Sequence, residues 1–143
     1  MRVLYLIFLV IAVTVATPLV AGCHPQPATS AQASPEVAIA FAGTVAALEV
    51  LDELHAQRMR AITEPTDEQV AWATQHSERL HRLRDVLAIA REWLEGKASE
   101  ADGRAAFADA ASVLQLIIDE LKSQGIAIPK AVDAGLAAAK YFD

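Results

Sequence analysis

Apolar residues recur at steps of three and four along three long segments, and capping or stop residues bracket each segment. That period matches the 3.6-residue turn of an α-helix and keeps the apolar positions on one stripe, so it restricts the chain to helices packed along their lengths. No stretch shows the alternation that a half-buried strand needs.

The first helix is predicted over 35–62. Ser34 takes the N-cap, Pro35 fits the first helical position and Glu36 favours the helix dipole. Its stripe is Val37, Phe41, Thr44, Leu48, Leu51, His55, Met59 and Ile62. The second is predicted over 67–95, opened by a Thr66-x-x-Gln69 capping box and stopped by Gly96. Its stripe is Ala73, His76, Leu80, Leu83, Leu87, Ala90 and Leu94. The third is predicted over 100–124, with Ser99 as cap, Gly125 as stop and Phe107, Ala110, Leu114, Ile117 and Leu121 as its seam. A short fourth helix follows Pro129, with Val132, Leu136 and Ala139 on one side. Short connections make successive helices antiparallel neighbours. The expected fold is all-α: an up-down-up three-helix bundle over 35–143 with a short C-terminal fourth helix.

The N-terminal 34 residues do not belong to that pattern. Arg2 precedes an apolar run from Val3 to Val15, and a weaker stretch continues to Gly22 through Pro18. A charged start, an apolar centre and small residues before a cleavage point describe a secretory signal rather than a spanning helix. The segment closes as Leu19-Val20-Ala21-Gly22-Cys23, around the single cysteine of the chain. This ending resembles the lipobox of bacterial lipoproteins, with valine where leucine is commoner at its first position. The resemblance covers residues 1–23. It implies cleavage before Cys23 and attachment of a diacylglycerol by thioether plus an N-acyl chain such as palmitate. Two or three acyl chains anchor stably where one does not, because each buried methylene contributes about 0.8 kcal/mol. It also implies the bacterial cell envelope; His24, in place of an aspartate, favours the outer membrane, facing the periplasm. Residues 23–34 then form the lipidated cysteine and a tether, HPQPATSAQAS after Cys23, with no large apolar side chain.

From Cys23 onward the chain carries 18 acidic and 11 basic side chains, a net charge of −7. That balance argues against a nucleic-acid partner. No second segment approaches the roughly 20 apolar residues of a membrane span.

Two constellations are candidates for chemistry. His55 and His76 both sit in helix seams, seven residues before Ile62 and nine after Asp67. At 1.5 Å per residue they stand at similar heights above the turn, and Asp52 lies one turn from His55. Such a group serves either as a buried polar layer that fixes register or as a Zn²⁺ site of two imidazoles and a carboxylate. Protonation of the imidazoles near pH 6 would load charge into the seam and lower stability. Helix three is expected to offer only apolar side chains inward. Arg79, Arg82, Arg84 and Arg91, interleaved with Glu78, Asp85 and Glu92, read mostly as intrahelical ion pairs. No P-loop, dinucleotide fingerprint, zinc-protease motif or nucleophile triad is present, so no enzyme activity is expected.

The second candidate is surplus apolar surface. Ile39, Val50 and Leu54 on helix one, and Val86, Ile89 and Trp93 on helix two, fall off the main stripes; Val113 and Leu116 add to them on helix three. Small residues Ala38, Ala42, Gly43, Ala46 and Ala47 would let another helix approach closely. These ridges must be covered by the short fourth helix, by a second copy or by a protein partner; the fourth helix is too short to shield all three, and what it leaves exposed would be a contact surface centred on Trp93. The leading expectation is a membrane-anchored helical protein–protein interaction module. The alternative is a periplasmic metal- or small-ligand-binding bundle.

Overall fold

The computed structural model describes residues 34–142; the signal segment, Cys23 and the tether through residue 33 lie outside the described residues. The described chain is all-helical: α1 (Pro35–Ala61), α2 (Asp67–Leu94), α3 (Glu100–Ser123) and α4 (Lys130–Ala139), followed by a 3₁₀ turn over Lys140–Phe142. No helix among the described residues is long and apolar enough to cross a membrane.

The helix ends obey local chemistry. At α2 the Thr66 hydroxyl accepts from the Gln69 N–H while the Gln69 side chain accepts from the Thr66 N–H, closing the capping box. Ser99 accepts from the Asp102 N–H and opens α3. Gly96 and Gly125 adopt φ of 70° and 69°, the left-handed region open to glycine. There Lys97 N–H reaches back to the Glu92 carbonyl and Ile126 N–H to the Leu121 carbonyl, so both helices end in a Schellman motif. Ser34 occupies the N-cap position of α1 without a side-chain capping bond.

α1 packs chiefly against α4 and then against α2; α2 packs against α3, and α3 against α4. The fourth helix therefore lies between α1 and α3 as a wall of the core. Backbone proximity explains how so short a helix seals α1. A Cβ on Gly135 would stand 2.3 Å from Ala47 Cβ and 2.9 Å from the Gly43 carbonyl, so α4 rests directly on the small residues of α1. The close approach expected at Gly43 and Ala47 is thus used within the chain.

Leu51, Leu83, Phe107, Leu114, Ile117, Ile118, Leu121 and Val132 form the buried centre. Thr44 is also fully buried, and its hydroxyl donates to the Ala40 carbonyl at 2.8 Å. Burial of apolar area at about 25 cal/mol per Å² is what drives these helices together.

Candidate functional site

Trp93 does not centre an exposed patch. It is 9% exposed and fills a pocket between α2 and α3, where Gly103 leaves room: a Cβ there would lie 2.2 Å from the indole. Phe107 and Phe142 meet it edge-on at centroid distances of 6.2 and 5.8 Å. A ridge surplus to one stripe per helix is buried here because the 3₁₀ turn after α4 brings Phe142 under α2. Val86 and Val113 are buried as well, and Val50 and Leu54 are half-buried. Of the expected contact residues, Ile39 (71%) and Ile89 (41%) stay exposed, as does Leu116 (52%).

The histidine pair does come together. His55 and His76 lie 5.2 Å apart, ring centroid to centroid, with planes 13° from parallel. Trp72 joins them, 5.0 Å from His76 and 5.7 Å from His55. Arg58 covers the indole, its guanidinium carbon 4.3 Å from the ring centroid. A cation over an indole is attracted to its π-face. The order of residues makes this possible. Arg58 follows His55 by three positions, and Trp72 precedes His76 by four, so each pair shares one helix face.

Two anionic groups define the surroundings. Glu120 of α3 lies with Oε2 3.1 Å from His76 Nδ1 and accepts a 2.7 Å bond from Arg79. A carboxylate only accepts, so Nδ1 is the donor in this contact. Glu120 overturns the expectation that α3 points only apolar groups inward. Asp52 is bonded to Arg84. That ion pair ties it to a guanidinium while its charge still reaches His55, and no trio of His, Cys, Asp or Glu able to hold a metal gathers among the described residues. Of the three expected ligands, His55 and His76 come together and Asp52 pairs with Arg84.

The arginines also depart from the expected intrahelical pairing. Arg79 pairs with Glu120 and Arg82 with Asp109 on α3, Arg84 with Asp52 on α1, and Arg91 alone of the four pairs along its own helix, with Glu95. Helical spacing gave each arginine a partner on its own helix, but three sit at helix–helix borders where an acid of the neighbour is closer.

The ring cluster is under-bonded. Among the described residues, the buried side-chain polar atoms without a hydrogen-bond partner are His55 Nδ1, Arg58 Nη1, Trp72 Nε1 and His76 Nε2. All four belong to this one cluster. Burial holds the His55 imidazole below its ordinary pKa near 6.5; the charge of His76 adds to this, Asp52 opposes it and Arg84 reinforces it. On the α2–α3 side of the cluster, Trp72, Arg79, Glu120 and Leu116 line an open groove. Sequence reasoning found the two histidines from their heights and missed Trp72, Arg58 and Glu120. The three- and four-residue spacing from each histidine would have flagged the first two.

Comparison with protein-family models, curated proteins and solved structures finds no match to this chain.

Proposed function

We propose that this chain is a bacterial envelope lipoprotein, held by acyl chains on Cys23, whose helical domain binds a protein partner and performs no catalysis. The observation that carries the reading is the Leu19–Cys23 ending of an apolar, Arg2-led segment, with no other cysteine in the chain. The helices would run up, down, up and down, with the domain in the periplasm and the anchor in the outer membrane. The order of contacts supports that course. Asp52 meets Arg84 while His55, three residues later, meets His76, eight residues earlier. The face left to a partner carries Ile89 at one end and Leu116 at the other. Ile89 shares a groove with Ala105 and Asp109, and Leu116 shares the groove with Trp72 and Arg79. Exposed apolar side chains framed by charges suit a non-obligate protein contact.

The test is fractionation of cells producing the wild type and Cys23→Ser. The wild type should mature and remain with membranes, and the variant should leave them. A serine variant that matures normally and stays with membranes would sink the anchor. Photo-cross-linking from Ile89 should then capture a distinct envelope protein, and a surface that cross-links to nothing would end the interaction reading.

A second reading, a small-ligand-binding bundle, is favoured by the four under-bonded polar atoms around Trp72. Calorimetric titration with Zn²⁺ separates metal from the rest. Stoichiometric binding lost in His76→Ala would revive a metal site; its absence leaves the cluster to a polar organic ligand or to structure.

A further inference from the structure

Ile39 and Tyr141 are the most exposed large apolar side chains among the described residues, at 71% and 68%. They are not scattered. They flank one cleft, lined otherwise by Glu36, Ala40, Ala137 and Ala138, where the first turns of α1 meet the end of α4 and the 3₁₀ turn. This is also the end of the bundle at which Ser34 enters α1, 11 residues after Cys23.

We propose that this end of the domain, through Ile39 and Tyr141, rests on the zwitterionic surface of the bilayer that holds the acyl chains. The inference depends on acylation of Cys23, and it adds an orientation that the anchor alone does not specify. Eleven residues at full extension reach about 40 Å, so Ser34 is never farther than that from the lipid, and the cleft lies within the next turns of α1. Confinement of this kind raises the effective concentration of the surface and lets a small contact suffice. A tyrosine with an apolar body and a polar tip suits the headgroup level, and isoleucine suits the acyl boundary beside it.

Charge selects the kind of surface. The chain from Cys23 onward is net −7, and Glu36 is the charged residue that lines the cleft, while Lys140, next to Tyr141 in sequence, reaches instead to Gln115. Anionic headgroups would repel the domain as a whole, whereas zwitterionic ones do not.

Other occupants fit less well. The connecting residues 24–33, HPQPATSAQA, contain no large apolar side chain to fill the cleft. A second copy needs roughly 1,200 Å² or more of total buried surface for a stable interface, far more than six lining residues supply.

The experiment uses the acylated full-length product in phosphatidylcholine–phosphatidylethanolamine vesicles. Acylation consumes the Cys23 thiol, so Tyr141→Cys or Ile39→Cys provides a single site for an environment-sensitive fluorophore. Val70→Cys, exposed near the start of α2, is the control. Nitroxide lipids should quench the label at 141 and at 39 several-fold more than at 70, and adding anionic lipid should reduce the difference. Equal quenching at all three sites, with the protein still floating with vesicles, overturns the inference and leaves the anchor intact. A product that does not float and retains a free Cys23 thiol overturns both. Shielding of the label in unacylated Cys23→Ser protein without vesicles points to the chain's own residues at low concentration, or to a second copy if it grows with concentration. Either result overturns the bilayer as occupant.

Discussion

Replacing Gly103 with alanine should destabilise the domain, although alanine is the better helix former. Gly103 lies one turn inside α3, and in such a position Gly→Ala ordinarily gains about 1 kcal/mol. Here the new methyl would stand 2.2 Å from two atoms of the Trp93 indole, against roughly 3.5–4.0 Å for carbon atoms in contact. The indole cannot simply retreat, because Phe107 and Phe142 meet it edge-on. Overpacking of this kind costs about 3 kcal/mol at the upper end of its usual range, which outweighs the propensity gain and leaves a net loss near 2 kcal/mol. That corresponds to a fall in Tm of roughly 8 °C for a domain of this size. Removing the indole should reverse the sign: in a Trp93→Leu background the same Gly103→Ala change should stabilise by about 0.5–1 kcal/mol. Urea unfolding of the four proteins of this cycle, each as the chain from residue 23 with Cys23→Ser, measures the coupling. If Gly103→Ala stabilises the otherwise unchanged protein, the indole does not occupy that pocket, and Trp93 returns as a candidate for partner contact.

Stability should also depend on pH through His55. Its pKa is depressed in the fold by burial and by His76, so near 6.5 the unfolded chain takes up a proton that the folded chain resists. The stabilising contribution is therefore present above pH 6.5 and is lost as the pH falls through the folded pKa. The groups facing the imidazole are Asp52 and Arg58 on α1, Trp72, His76 and Arg84 on α2, and beyond His76 the Arg79–Glu120 pair. Thermal scans from pH 8 to 5 should show this loss, and the combined variant His55→Leu, His76→Leu should flatten it; an unchanged slope in that variant rejects the cluster as its source. Glu120→Ala removes the partner of both His76 and Arg79 and should cost about 2–3 kcal/mol in urea unfolding, below the full cost for a buried pair because Arg79 reaches solvent. A cost within the few tenths typical of surface changes would mean the pair is not formed.

Element boundaries were legible in the sequence because they depend on chemistry within a few residues. The Thr66–Gln69 box, the Ser99 cap and the two glycine stops each need only their own neighbours, and all four appear where the sequence predicts. The pairing of His55 with His76 was legible for a related reason. Counting residues from a short turn fixes relative height along two helices, and height is most of what brings two seam residues together.

Lateral placement was not legible in the same way, and the errors share that origin. A hydrophobic stripe states that a face is buried but not which neighbour buries it. Trp93, Val86 and Val113 looked surplus because the count assumed three helices around one seam. The close fit of Gly135 on Ala47 turns α4 into a wall and widens the buried arc on α1 and α3, and Phe142 beyond it covers Trp93 on α2. Asp52 looked free to join the histidines because its distance along α1 was right. Its partner was settled by Arg84 across the α1–α2 border, a choice that depends on rotation about the helix axis. The same rotation brings Glu120 to His76 from a helix that the seam pattern had marked as apolar. The exposed Ile39 and Tyr141 lie where α1 begins, and the under-bonded ring cluster lies near the other end of the bundle, beside the α1–α2 turn. The proposed bilayer contact and the ring cluster thus fall at opposite ends of helices about 40 Å long and can be tested independently.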